Sequence, residues 1–130
     1  MIYLSNDFNQ IMEHLGEELP RPYGPHVLLK LYVPEEMARN SDGSESGIII
    51  PESVREEAIY SQIVGLVLAL GPACYQEERF KSWARCAVGQ WVIFRPNEGT
   101  RFSCQGVPLR YVYEDRLLAS VKDPSKVSRD

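Results

Sequence analysis

Few side chains in this sequence are spaced for covalent chemistry. The segment GSESG, Gly43 to Gly47, has Glu45 where a nucleophile elbow requires serine. No glycine-rich phosphate loop ending in Gly-Lys-Ser/Thr occurs, and no G-x-G-x-x-G. Cys74, Cys86 and Cys104 are widely and irregularly spaced and form no C-x-x-C; with only His14 and His26 beside them they make no zinc set. They read as free thiols of a reducing compartment. The adjacent carboxylates Glu56 and Glu57 sit in an acidic stretch, where solvation accounts for them. What remains is contact chemistry in SGIIIPE, Ser46 to Glu52. Ile48, Ile49 and Ile50 interrupt a hydrophilic segment and read either as a buried strand or as an exposed contact that docks in a groove or on a strand edge of a partner. Gly47 loosens the entry to this run. Pro51 stiffens its exit, disfavours helix at Ile50 and removes one backbone donor.

The elements that must carry this segment are mostly strands. An N-terminal helix is expected first, capped by Ser5 or Asn6 and ended by Gly16, with Phe8, Ile11, Met12 and Leu15 on one stripe. That stripe docks either on its own domain or on a neighbouring subunit. After the breaker RPYGP, period-two alternation from His26 to Val33 predicts a strand with Val27, Leu29, Leu31 and Val33 on an apolar face, and Pro34 stops it. Further strands are expected at Gln62 to Gly71, Gln90 to Phe94, Arg101 to Cys104, Leu109 to Tyr113 and Leu117 to Val121. Two connections are too long for hairpins. The first, 34–61, holds seven acidic residues against Arg39 and Arg55, a local charge of −5. Its length and self-repelling charge predict a mobile loop. The second, 73–87, mixes charges with Tyr75, Phe80 and Trp83 and is expected to form a projecting hairpin. The tail 122–130 is polar.

Composition limits the partners. With 130 residues, 44% of them apolar and 25% charged, the chain fits one globular domain with a real core. A net charge of −4 argues against a general nucleic-acid binder and gives no attraction to an anionic membrane. No apolar run approaches membrane-spanning length, and MIYLSNDFNQ lacks the pattern of a signal peptide.

Five motifs in order, HVLLKL, SGIIIPES, VGLVLALGP, VGQWVIF and YEDRLLASV, resemble those of the GroES-type co-chaperonins, the lids of cylindrical chaperonins. SGIIIPES is similar to the Gly-Ile-Val/Ile-Leu/Ile mobile-loop tripeptide of that family. VGLVLALGP is similar to its G-x-V-x-A-V-G strand, VGQWVIF to V-G-D-x-V-x-F, and YEDRLLASV to the closing S-x-x-D-I-L-A-x-V. The resemblance covers about Pro22 to Val121.

It implies an all-β chain, a small GroES-like β-barrel at 22–121 with a long mobile loop at 34–61 and a roof-like hairpin at 73–87, to which the residue pattern adds a short helix within the extension 1–21. It implies that Gly47 is a hinge and that Ile48, Ile49 and Ile50 grip a GroEL-type chaperonin. The implied state is a homo-oligomeric, heptameric ring that helps enclose unfolded client proteins in an ATP-dependent cycle. The lid itself is implied to be non-enzymatic and without a cofactor, metal, nucleic acid or membrane partner, and to work in the cytoplasm. Departures from the pattern are Pro25-His26 in place of Asp-Arg before the first strand, Gln90 in place of Asp, a rewritten 73–87 segment, no tyrosine after Phe94, and the extension itself. Such divergence suits a virus-encoded lid acting in a host bacterial cytoplasm. The rival readings are a small β-barrel that binds a ligand or nucleic acid, and the GroES-like portion of a zinc-dependent dehydrogenase, whose zinc ligands and dinucleotide fold this chain lacks.

Overall fold

The computed structural model describes residues 2–39, 51–82 and 85–128. Six strands form one antiparallel sheet: β1 (His26–Leu31), β2 (Val64–Leu70), β3 (Trp91–Phe94), β4 (Thr100–Cys104), β5 (Val107–Tyr113) and β6 (Leu117–Val121). Their order is β4-β5-β1-β2-β3-β6. This is the small all-β architecture expected, with three short α-helices added among the described residues: α1 (Phe8–Leu15), α2 (Glu35–Arg39) and α3 (Glu52–Tyr60). Among the described residues no helix is long and apolar enough to cross a membrane.

Because strand side chains alternate, β1 feeds two cores. Val27, Leu29 and Leu31 join Val67, Phe94 and Val112 on one face, where Phe80 and Ile59 complete the packing. Leu28 points to the opposite face, with Leu66, Leu68, Val107 and Leu109. The alternation in HVLLKL predicted one apolar face for this strand. Both faces are buried instead, because α1 covers the second: Ile11 and Leu15 pack there at 0% and 1% exposure. Burying those two side chains contributes about 3–6 kcal/mol to holding the extension down. The apolar stripe of α1 therefore docks on its own domain. Lys30, expected opposite the apolar face, is consequently sealed at 0% exposure.

The cap of α1 also differs from expectation. Asp7, not Ser5 or Asn6, accepts from the Gln10 amide at 2.9 Å, and this frees Asn6 for another task. Gly16 ends the helix as predicted, with φ +51° and its amide on the Met12 carbonyl.

Segment 73–87 forms no strand among its described residues. It makes turns and one 3-10 turn, Glu78–Phe80. Rather than projecting, it tucks Tyr75 (7% exposed) and Phe80 (0%) into the first core, edge to face at a centroid distance of 5.2 Å. Glu114, just beyond β5, fastens it: a carboxylate oxygen accepts from the Tyr75 amide at 2.6 Å, and the Tyr75 hydroxyl donates to the Glu114 carbonyl at 2.8 Å. The mixture of charges and aromatics misled because charges pair along the surface while the Tyr75 and Phe80 rings turn inward; Trp83 lies outside the described residues.

The turn after β2 leaves no room for a side chain. Gly71 donates to the His26 carbonyl at 2.8 Å, and a Cβ on it would collide with the Gly24 carbonyl oxygen. Backbone cannot yield as a flexible side chain can. Gly71→Ala is therefore expected to destabilise the domain by about 2–3 kcal/mol, read as a lower urea midpoint with unchanged slope. An unchanged midpoint would mean that the two backbones need not approach so closely.

Candidate partner-binding site

Gly47, Ile48, Ile49 and Ile50 lie outside the described residues, so what can be built from the chain upward is the pair of elements that flank them. At the entry, β1 gives way at Pro34 to α2. Glu35 and Glu36 occupy its first turn, where carboxylates suit the positive helix end. Met37 donates its amide to the Pro34 carbonyl at 3.0 Å and packs against the first core. At the exit, Pro51 occupies the N-cap position of α3 with φ −56°, pre-set for entering a helix. Ile59 anchors α3 at 0% exposure, and the Ser61 amide closes it on the Glu57 carbonyl at 3.0 Å. Both helices fall inside the stretch read from charge as an irregular loop. The signal for α3 was present in PESVREEA, a proline start followed by good helix formers; the density of acids hid it.

The roots of the segment are held by side chains from elsewhere in the chain. The Asn6 carboxamide donates to the Val33 carbonyl at 2.8 Å and accepts from the Val33 amide at 2.9 Å and from Lys30 Nζ at 3.0 Å. Arg110, 3% exposed, donates to the Tyr60 carbonyl at 2.6 Å and to the Glu98 carbonyl at 2.8 Å. Tyr60 ends α3, so the guanidinium meets the negative end of that helix. Burial, and then the neighbouring Arg101, pull the Arg110 pKa below its ordinary value. Burial alone pulls the Lys30 ammonium from 10.5 down to about 7. Asn6 was read from sequence only as a helix cap, and Lys30 and Arg110 were not singled out, because their partners lie up to 50 positions away.

The surroundings of the segment are acidic. Arg101 approaches Glu57 at 4.0 Å, but both are exposed, so the pair adds little. Burial raises the Tyr32 hydroxyl pKa, and Asp123, Glu36 and Glu35 add to the effect.

The described residues offer little for covalent chemistry. No group of three or more His, Cys, Asp and Glu gathers to hold a metal among them. Burial pushes the Cys74 thiol up to about 11 and raises Cys86 as well, so both stay protonated and poorly nucleophilic near neutral pH. An aromatic hollow of about 500 Å³ lies beside His26, lined by Tyr23, Tyr111 and Tyr113 with Arg21 as its one arginine. A strand-tracking nucleic-acid groove requires several cations among its aromatics, and this hollow does not supply them.

Comparison with known proteins agrees with this geometry. The family model described as "Chaperonin 10 Kd subunit" matches residues 20–121, which takes in all six strands and both flanking helices and leaves out α1. A protein of Solidesulfovibrio magneticus named "Co-chaperonin GroES" is 28% identical over 102 residues, covering 78% of this chain and 96% of that protein.

Proposed function

Because the chain belongs to the chaperonin 10 Kd subunit family, we propose that it is a co-chaperonin that caps a GroEL-type chaperonin and grips it through Ile48, Ile49 and Ile50. One observation carries the reading. Within a domain matched over 20–121, the segment between β1 and β2 carries a glycine-bounded triple isoleucine and leaves from two firmly held roots.

The mechanism is reversible apolar capture. The part of segment 34–61 between α2 and α3 acts as the mobile loop, and Gly47 lets the isoleucine run swing into an extended, strand-like pose in a groove of the chaperonin. Each loop binds weakly, and several loops on one ring, heptameric in this proposal, raise avidity by about 10²–10⁴. Release then needs only a modest change in the partner's grooves. ATP is bound and hydrolysed by the chaperonin, the lid contributes no catalytic group, and unfolded clients are enclosed beneath it in the cytoplasm.

Native mass measurement of the purified chain with a GroEL-type chaperonin tests this. The expected outcome is a ring of seven that joins the chaperonin in the presence of ATP and dissociates without it. A monomer that ignores the chaperonin in both conditions would sink the proposal.

A further inference from the structure

Val33 is the last buried residue before segment 34–61 departs, at 0% exposure, and its backbone lies beyond the β1–β2 ladder, which ends at Leu31. Its amide and carbonyl take their bonds from one side chain, Asn6, at 2.9 and 2.8 Å. A carboxamide suits this place because it offers a donor and an acceptor side by side, the same pair a neighbouring strand would present. Asn6 is itself fixed from both sides. Lys30 Nζ donates to its oxygen at 3.0 Å, and the next residue, Asp7, caps α1.

The rest of the extension is fastened to the β4–β5 turn. The Tyr3 amide donates to the Gly106 carbonyl at 2.7 Å, His14 Nε2 meets the Gln105 carbonyl at 2.9 Å, and the Tyr3 and His14 rings stack at 4.0 Å. At the other root, Arg110 holds Tyr60 from β5. One root of the segment is therefore fixed by the sheet itself. The other is fixed by an extension lying outside the family-matched residues 20–121.

We infer that the N-terminal extension is a positioning element for chaperonin capture, with Asn6 the residue through which docked α1 fixes the Val33 root. The inference rests on the function proposed above. A fixed root lowers the conformational freedom that capture must remove, so it strengthens binding without touching the partner. Coupling of this kind is reciprocal: capture of the chaperonin must in turn hold α1 more firmly on the sheet.

The test uses the full chain, a GroEL-type chaperonin and ATP, at a temperature where every variant is folded by circular dichroism. Asn6→Ala is expected to assemble normally, to speed exchange of the Val33 amide about tenfold, and to bind about tenfold more weakly. Asn6→Asp keeps an oxygen for the Val33 amide and for Lys30 but turns a second acceptor on the Val33 carbonyl, so it is expected to bind no better than Asn6→Ala. A residue that served stability alone would lower the unfolding midpoint and leave binding unchanged, and that result overturns the inference. Hydrogen exchange on the wild-type complex gives a reading that needs no variant. Amides of Phe8–Leu15 are expected to exchange more slowly when the chaperonin is bound, and unchanged rates overturn the coupling. Wild-type protein showing no ATP-dependent binding overturns the functional reading and this inference together. Wild type that binds, with Asn6→Ala binding equally well, overturns this inference alone.

Discussion

Ile49→Asp is expected to abolish chaperonin capture, weakening it by at least about a thousandfold, while the chain still folds and assembles. Burying one isoleucine side chain contributes about 1.5–3 kcal/mol, so the three together supply on the order of 5–9 kcal/mol gross per loop. Ordering the segment costs about 2–5 kcal/mol, and association costs more. The net gain per loop is therefore small. Aspartate removes one third of the apolar contribution and adds the desolvation of a carboxylate, several kcal/mol more. Each loop then passes from weakly favourable to unfavourable, and the avidity of the ring is lost with it. The substitution adds one acid to a segment that already carries Asp42, Glu45 and Glu52, so folding should be spared. Co-sedimentation with a GroEL-type chaperonin and ATP reads the result. Retained capture would remove Ile48, Ile49 and Ile50 from the contact.

Lys30→Met is expected to stabilise the protein by about 1–4 kcal/mol and to remove a pH dependence of its stability. Lys30 is sealed at 0% exposure between Leu66 and Leu109 on the neighbouring strands, and Asn6 accepts from its ammonium. Lowering a lysine pKa from 10.5 to about 7 corresponds to a penalty on the order of 4–5 kcal/mol against the charged form. Methionine has nearly the same length and removes that cost, at the loss of one hydrogen bond. The Asn6 oxygen still accepts from the Val33 amide.

The sign of the pH effect follows from where the proton is held. Between pH 7 and 10.5 the unfolded chain keeps the lysine proton and the folded protein releases it, so stability rises with pH across that window. Below pH 7 both states are protonated and this contribution is flat. Raised thiol and phenol groups, Cys74 and Tyr75 among them, act in the opposite direction once their unfolded counterparts ionise, near 9 and 10. The lysine is therefore best isolated between about pH 6.5 and 8.5, where wild-type stability should climb by about 1–2 kcal/mol and that of Lys30→Met should stay level. Urea midpoints across this range measure it, and parallel profiles for the two proteins would show that Lys30 keeps its charge in the fold.

What was legible in the sequence came from short-range pattern. The alternation in HVLLKL, the apolar run VGLVLALGP bounded by glycine, and the breakers Pro34 and Gly71-Pro72 placed β1 and β2 within a few residues. They did so because strand period and turn chemistry are local properties. The stripe Phe8, Ile11, Met12 and Leu15 likewise announced α1 and its apolar side. The order of such motifs was enough to suggest the family, and the match over 20–121 bears that out.

Pairing across distance was not legible. Nothing local to Lys30 says that a helix from the extension will close over it, and nothing local to Asn6 says that it will leave capping to Asp7 and hold Val33 instead. Tyr75 and Phe80 sit among charges, and only Glu114, 39 positions away, reveals that they face the core. By itself the sequence determined the strands, the family and the triple isoleucine available for contact. Only the tertiary structure decided which polar groups are buried and what holds the roots of segment 34–61. Burial and hydrogen-bond satisfaction depend on which distant surfaces meet, and no window along the chain contains both partners.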